Sequence, residues 1–286
     1  MYSRATPFEK ADRIAGTHQK IDRAARLVFR QIRRKKFPQT ALRFPKIEEI
    51  LRFEGSGGPD GIKTKSPGKD EPWHFVDPDG DNSQMFSHVE NHIINLAQAL
   101  RDGNSVRASF EAGWMAHAIT DALTPAHQYP MEDKIIEISG KHPSERVKLN
   151  QKMFLPGETW RKRLASNWKY LGPKGVMSSH MLYEMGVAIL ITSISAKKIS
   201  KIPSDEEISR VMNGEFMEIF AEKIQFVAQQ RYYQRFVKKG WSSRLARETK
   251  TVLLPEISSV VALGWFEAFR LAENSNAKNS TKKDEK

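Results

Sequence analysis

Cysteine is absent from the 286 residues of this sequence. This absence excludes a disulfide scaffold and any metal site that uses thiolate ligands. The sequence also lacks a run of about 18 apolar residues, the length that a membrane-spanning helix requires. The nearest approach, residues 252–271, is interrupted by one proline and three charged residues, so we expect a buried helix there.

A secretory signal peptide is not evident either, because the first residues, MYSRATPFEKADRIAG, contain no apolar stretch. We therefore expect a cytoplasmic protein. Secretion is the alternative if this N-terminus arises by processing of a longer chain.

Acidic residues are in short supply relative to basic ones. The chain has 34 Asp and Glu against 46 Lys and Arg, a formal net charge of +12. An excess of this size favours anionic partners such as nucleic acid, anionic lipid or phosphorylated small molecules. A basic, well-solvated protein without such a partner has the same composition, so the charge alone does not choose between them.

Sustained alternation of apolar and polar residues, which is typical of half-buried β-strands, is also missing. Apolar residues recur at helical spacing instead, as in a first helix that we predict from about Phe8 to Lys36. Further helices are predicted from about Pro45 to Phe53, Ser83 to Arg101, Ser105 to Leu123, Met177 to Ser195, Asp205 to Lys239 and Pro255 to Glu273. The sequence therefore predicts an all-α protein, a multi-helix bundle.

The helical domain is predicted to span residues 1–273 as a single unit. Within it, the stretch 55–72 is rich in Gly, Pro, Ser and Lys and is predicted to be a loop. Residues 128–176 show the least regular pattern and are interpreted as a long insertion with one or two short helices. The final residues, 274–286, are too polar to pack and are predicted to form a disordered basic tail.

Three candidate metal ligands occur close together in residues 113–128, GWMAHAITDALTPAHQ. His117 and Asp121 are four residues apart, so they project from the same face of a helix. Pro125 ends that helix, and His127 follows in the turn. Imidazole nitrogens and carboxylate oxygens arranged in this way suit Zn²⁺. The alternative is an ion pair within the helix beside an unrelated surface histidine.

His180 and Glu184 repeat this four-residue spacing on a second helix, in SSHMLYEMG. The remainder of that helix is almost wholly apolar, so a buried His and Glu would need a partner, which a metal ion supplies. Helical bundles often bind metals between facing helices in this way. For His18, Asp60 and His74, spacing alone does not indicate whether they join the other ligands.

These motifs, taken in order, resemble the zinc-dependent phospholipase C superfamily, which also contains single-strand nucleases with 3′-nucleotidase activity. HAITDALTPAH is similar to the HxxxDxxxxxH motif of that superfamily, WHFVDPD to its HF-x-DPD element and HMLYE to its HxxxE element. GTHQKIDRA resembles its first helix, which carries a ligand histidine, and VALGWFEAF resembles its closing helix. Asp60 has the spacing of the superfamily before His74. The resemblance implies an all-α fold for about residues 10–271.

The resemblance also implies a site for two or three zinc ions. The ligands implied for the first ion are Asp60, His74, His117 and Asp121. The ligands implied for the second ion are His127, His180 and Glu184. Asp121 would bridge to a third ion, which His18 would also bind. Asp60 is in addition the candidate catalytic residue, as a general base.

Three features depart from the pattern of the superfamily. No Trp near the start of the sequence matches the N-terminal Trp that completes the third zinc site, so a third ion would need another ligand. The aromatic residues of the choline pocket also lack counterparts. The interval between His127 and His180 is long, and His142 with Glu145 is the alternative to His180 with Glu184.

The activity implied by the resemblance is that of a phospholipase C-like phosphoesterase, which hydrolyses phosphodiester bonds with a metal-activated water. A nuclease or 3′-nucleotidase is the second hypothesis, which the positive charge favours. A metal-stabilised helical module without catalysis is the third. The partner would be an anionic phosphoester, either a phospholipid or a nucleic acid, with peripheral membrane contact as a further expectation. The sequence identifies no obligate protein partner. His88 and His92 are predicted to be an exposed pair or to line the mouth of the site.

Overall fold

A computed structural model describes residues 16–65, 75–142, 145 and 154–284 of the chain. Every regular element in these residues is helical, which confirms the all-α prediction. The α-helices are α1 (Thr17–Lys36), α2 (Ile47–Ile50), α3 (Pro59–Lys65), α4 (Ser83–Arg101), α5 (Ser105–Ala122), α6 (Met131–Ser139), α7 (Trp160–Leu171), α8 (Val176–Thr192), α9 (Asp205–Asn213), α10 (Phe216–Gln229), α11 (Tyr232–Lys239), α12 (Ser243–Glu248) and α13 (Leu254–Asp284). Short 3₁₀ turns occupy Leu51–Phe53, Gly55–Gly57 and Ala196–Ile199, and a π turn at Thr249–Leu253 joins α12 to α13.

The core forms where α13 packs against α1, α4 and α5. Residues 253–270 are all buried, because helices surround this part of α13 on several sides. Trp265 is completely buried there, and its indole Nε1 donates a hydrogen bond to the carbonyl of Ala112 in α5 at 2.9 Å. This contact ties the central helix to the helix that carries His117 and Asp121.

In the part of the chain that the structure describes, one continuous helical segment, Ser243–Ser275, has the length and apolar composition of a membrane span. It comprises α12, the π turn and most of α13. Of its most apolar window, 94% is buried inside the protein. The burial agrees with the prediction that residues 252–271 form a core helix. A core helix that is surrounded by other helices is expected to be apolar on all faces.

The prediction of one continuous helix from Asp205 to Lys239 is wrong, because the structure has three separate helices there. α9 ends at Gly214, whose φ of 93° lies in the left-handed region that glycine adopts without a steric penalty. A second break occurs at Arg231, which has a φ of 51°. The start of α9 follows the prediction, since Ser204 and Glu207 form a capping box over its acidic first turn.

Two predicted irregular segments also differ from the structure. The predicted loop 55–72 contains the turn Gly55–Gly57 and helix α3, so only part of it is irregular among the described residues. The predicted disordered tail begins at 274, whereas α13 continues to Asp284. Residues 274–284 contain neither Gly nor Pro. Once a helix is nucleated, each added residue contributes a hydrogen bond, so α13 extends past its buried part.

The predicted insertion, residues 128–176, contains α6 and α7 as described elements. These helices do not join the main core. A separate small cluster instead buries Met131 and Ile135 of α6, Tyr170 of α7 and Leu155 between the two helices. α7 then packs beside α8, so the two helices form a hairpin on one side of the molecule.

Candidate metal centre

The first group of candidate ligands is buried between α1 and α5. His18 is the second residue of α1, and it shares the buried face of that helix with Ile21 and Ala25. His117 and Asp121 lie one turn apart on α5 and are also buried. The rings of His18 and His117 stack in parallel, with centroids 3.9 Å apart and an interplanar angle of 7°.

Asp121 lies at the centre of the site and is surrounded by three imidazoles. Its Oδ1 is 3.3 Å from Nε2 of His18, and its Oδ2 is 3.4 Å from Nε2 of His117. The same Oδ2 lies 3.6 Å from Nδ1 of His127. One carboxylate thus contacts histidines from α1, from α5 and from the turn after α5.

The second group consists of His127, His180 and Glu184. The turn after α5 is closed by a hydrogen bond from the N–H of His127 to the carbonyl of Thr124, 2.8 Å long, which directs His127 back toward α5. Oε1 of Glu184 lies 2.8 Å from Nε2 of His127 and 3.1 Å from Nε2 of His180. In each of the two groups, one potential ligand atom per residue can be chosen so that all three lie within 4.8 Å of one another.

Asp60 approaches the first group from α3, where it stands in the first turn. Its Oδ1 is 3.7 Å from Nε2 of His117. The Asp60 side chain is 26% exposed, whereas those of His117 and Asp121 are almost fully buried. Asp60 therefore lies on the open side of the site. His74, which the sequence predicts as another ligand, lies outside the described residues.

Two buried carboxyl groups behind the histidines were not predicted from the sequence. Oε2 of Glu54 lies 3.2 Å from Nδ1 of His117, which leaves Nε2 of that ring facing Asp60 and Asp121. Asp22 lies one turn after His18 on α1 and is fully buried. Its four-residue spacing from a histidine on an apolar helix face is a signal that the sequence does contain. Glu54 precedes a Gly-rich segment and offers no comparable signal.

Buried charges govern the electrostatics of the centre. Burial lowers the pKa of His117, but the carboxylates of Glu54 and Asp121 outweigh it and raise this pKa to about 10. Burial and the neighbouring Glu54 raise the pKa of Asp22 well above its ordinary value. Burial raises the pKa of Glu184, whereas the hydrogen bonds from His127 and His180 lower it.

The donor set fits zinc, because zinc sites that lack thiolate ligands use imidazole nitrogens and carboxylate oxygens. Nδ1 of His180 is buried and makes no hydrogen bond, and Nε2 of His117 has carboxylate oxygens at 3.4 and 3.7 Å but no hydrogen bond of good geometry. A buried polar atom without a hydrogen bond is costly unless another partner satisfies it. Glu54 contacts Nδ1 of His117 in the way that an outer carboxylate commonly contacts the second nitrogen of a zinc-binding histidine.

The remaining histidines in the described chain lie apart from these two groups. His142 is exposed, and its backbone N–H donates to Oε2 of Glu145 at 3.0 Å. His92 is buried rather than exposed, so the expectation of an exposed pair is wrong for this residue. Its Nδ1 contacts Oε2 of Glu111, and this contact joins α4 to α5. The ring of His88 lies edge-on to that of His92, 4.6 Å away.

Comparisons with known proteins identify the family and the fold of the chain. A family model described as zinc dependent phospholipase C matches residues 62–234, more than half of the chain. The structure is similar to a crystal structure of Clostridium perfringens alpha-toxin isolated from the avian strain SWCP, with a TM-score of 0.55 and 14% sequence identity. That match covers 91% of this chain and 64% of the toxin chain, so this chain spans less than two thirds of the toxin. At this identity the likeness establishes the fold. A comparison with curated proteins finds no match. The extent of the family match shows that the chain belongs to the zinc dependent phospholipase C family.

Proposed function

We propose that the chain is a zinc-dependent phosphoester hydrolase that cleaves phosphodiester bonds in the manner of a phospholipase C. The observation that carries this proposal is the convergence of three imidazoles on the Asp121 carboxylate, with His180, Glu184 and Asp60 beside them. Structural zinc sites are usually closed by four protein ligands, whereas catalytic sites keep an open position. The partly exposed side chain of Asp60 supports an open site.

In this proposal the residues of the chain bind two or three zinc ions. The proposed ligands are His18, Asp60, His74, His117, Asp121, His127, His180 and Glu184. Asp121 joins the two groups, since its oxygens contact histidines of both. When bound, zinc supplies Lewis-acid polarisation of a phosphoryl oxygen and makes a water molecule more acidic.

Asp60 has two proposed roles. It is a zinc ligand first, because its Oδ1 lies next to Nε2 of His117. It is also the candidate general base, because its carboxylate can accept a proton from an attacking water on the open side of the site. The deeper residues, His18 and His117, would position the site and exclude water from its inner side.

A phospholipid is the proposed substrate, in line with the family to which the chain belongs. Cleavage of single-stranded nucleic acid or of a 3′-nucleotide is the second candidate, because a net charge of +12 favours the binding of a polyanion. The two candidates share the phosphoester chemistry and differ in the group that the surface outside the metal centre must recognise.

The test is to measure zinc content by elemental analysis and turnover of three classes of substrate, with and without zinc. The substrates are p-nitrophenyl phosphorylcholine and phosphatidylcholine micelles, single-stranded DNA, and a 3′-nucleotide. We expect zinc-dependent hydrolysis that Asp121→Asn abolishes and that Asp102→Asn, at the exposed end of α4, leaves unchanged. Zinc-loaded protein that hydrolyses none of the substrates would contradict the proposal.

A further inference from the structure

Helices α7 and α8 present a continuous apolar surface to solvent. On α7 the exposed apolar residues follow one helical face, at intervals of four, four and three residues. On α8, Met181, Met185 and Ile189 follow one another at intervals of four residues, and Leu182 lies beside them. We define the α7–α8 face by its members on the two helices, which are Trp160, Leu164, Trp168, Leu171, Met181, Leu182, Met185 and Ile189. Phe154, just before α7, lines the same groove between the helices.

The exposure of this face is unusual for its residue types. Trp160 is 71% exposed and Trp168 is 68% exposed, whereas Trp265 in the core is completely buried. Scattered apolar residues are normal on a protein surface, but a contiguous apolar patch generally marks an interaction site. The core does not account for this face, because α6 and α7 bury residues only in the small separate cluster and α8 joins the main core through other residues, Tyr183, Val187 and Ile191.

Cations accompany the apolar residues of the face. Residues 158–174 contain five Lys and Arg and one acid, Glu158, which pairs with Lys162. Arg161, Arg163 and Lys169 are exposed on the same helix as the two tryptophans. A mixture of exposed Trp and aliphatic side chains with Lys and Arg is typical of a surface that binds at the interface of an anionic membrane.

The α7–α8 face also adjoins the candidate metal centre. His180 and Glu184 lie on α8, and each is followed directly by a member of the face, Met181 and Met185. Consecutive residues project about 100° apart around a helix. The α7–α8 face therefore occupies one side of α8, and the adjacent side of the same helix carries His180 and Glu184 of the second group.

We propose that the α7–α8 face docks the protein onto the surface of an anionic phospholipid membrane. The choice of a lipid surface rests on the proposed function as well as on the cations of α7. The tryptophans and aliphatic residues insert into the headgroup region, and the cations contact anionic headgroups. Docking in this orientation brings the side of α8 that carries His180 and Glu184 next to the lipid.

The test is to measure sedimentation of the full chain with vesicles of equal parts phosphatidylcholine and phosphatidylserine. Two variants remove apolar members of the face, Trp160→Ser with Trp168→Ser, and Leu164→Ser with Ile189→Ser. We expect each pair to weaken vesicle partitioning by about tenfold or more, since burial of apolar side chains drives interfacial binding. The matched control is Ile94→Ser with Val106→Ser, two exposed apolar residues on α4 and α5, which should bind as the unsubstituted chain does.

A third variant, Arg161→Gln with Arg163→Gln, tests the electrostatic part. Each cation removed should weaken binding to these vesicles about fivefold, and less to vesicles of phosphatidylcholine alone. Thermal melts followed by circular dichroism verify that all variants are folded. Because every substituted side chain is exposed, we expect melting temperatures close to that of the unsubstituted chain.

Hydrolysis of a water-soluble chromogenic phosphodiester separates this inference from the proposed function. Variants that lose vesicle binding and keep turnover of the soluble substrate support the inference. If the chain hydrolyses none of the substrates but still binds vesicles through the α7–α8 face, the inference is supported and only the proposed function is contradicted. The inference is overturned if the face variants bind vesicles like the unsubstituted chain. It is equally overturned if they change only the oligomeric state, which would make the face a contact between copies of the chain.

Discussion

The two groups of candidate ligands lie in different surroundings. His18, His117 and Asp121 are buried on α1 and α5, helices that pack against the central α13. In the second group, His180 and Glu184 are only partly buried on α8, next to the exposed α7–α8 face. Among the described residues, the contact between His127 and Asp121 links the two groups. A densely packed core holds the first group, whereas the hairpin of α7 and α8 holds much of the second.

One candidate metal centre therefore combines a part that is fixed in the core with a part that is closer to the solvent. Closely packed interiors resist displacement, so the geometry of the first group is set by the fold. Elements with few buried contacts open at lower cost. We therefore expect changes at the first group to affect the whole centre and changes at the second group to stay local.

The largest effect is expected from Asp121→Asn, because this carboxylate contacts histidines of both groups. We expect turnover to be abolished and zinc content to fall in both groups, since a neutral amide replaces the carboxylate that contacts histidines of both. Elemental analysis and turnover of a soluble phosphodiester are the measurements. A variant with full zinc occupancy and full turnover would show that the two groups do not share Asp121.

The next largest effect is expected from His180→Ala, which should empty the second group and leave the first filled. Removal of one of three ligands weakens a site strongly, since loss of an outer partner alone costs about 10–100-fold in affinity. Stability should also fall, because Glu184 loses the imidazole 3.1 Å from its Oε1. Zinc per chain and the thermal melting temperature are the measurements.

His142→Ala is the control for that prediction. His142 is exposed and belongs to neither of the two groups, so this variant should retain all zinc. If His142→Ala empties a site and His180→Ala does not, the ligand assignment on α8 is wrong.

A smaller effect is expected from Glu54→Gln, which keeps the shape of the side chain but not its charge. Zinc affinity of the first group should fall by about 10–100-fold, as when other outer carboxylates of zinc-binding histidines are replaced. Competition with a chromogenic chelator measures this affinity. Glu111→Gln is the matched control, because Glu111 is equally buried and contacts Nδ1 of His92 outside both groups. Equal losses in the two variants would indicate a general effect of a buried carboxyl group.

The smallest effect on the centre is expected from Gly186→Ala on α8. A Cβ at this position would lie 2.0 Å from Nε1 of Trp241, in a ring that packs against Tyr183. We expect a loss of about 1–3 kcal/mol in the free energy of unfolding, as in other overpacked positions. Zinc should remain in the first group.

Chemical denaturation measures the effect on stability, with Gly113→Ala on α5 as the comparison. There the nearest atom lies at 3.2 Å, so a smaller loss is expected. If the first group loses its zinc when Gly186 is replaced, the two groups are more tightly coupled than the packing indicates.

The helical fold could be predicted well from sequence where apolar periodicity is long and uninterrupted. The prediction of a helix from Ser83 to Arg101 agrees with α4, and that from Ser105 to Leu123 differs from α5 by one residue. Apolar spacing did not reveal the breaks at Gly214 and Arg231. A single left-handed residue can end a helix while the apolar pattern continues on both sides of the break.

The candidate ligands could be chosen from spacing only where two of them share a helix. His117 with Asp121, and His180 with Glu184, are pairs of this kind. Glu54 could not be found, because its relation to His117 spans 63 residues and depends on how the turn after α2 packs against α5. Residues brought together by tertiary packing carry no periodic signal in the sequence. The ligand roles themselves stay predictions until metal content is measured.

The tryptophans of the core and of α7 would respond differently to a solute that quenches fluorescence by collision. Such a quencher reaches Trp160 and Trp168 from the solvent, whereas Trp265 is enclosed and hydrogen-bonded to Ala112. The emission that survives quenching therefore comes from Trp265 and in part from the half-buried Trp114 and Trp241, and the contribution of Trp265 reports on the junction of α13 with the helix that carries His117. The protein thus contains an optical probe of its own core, which can be followed while its surface is bound or altered.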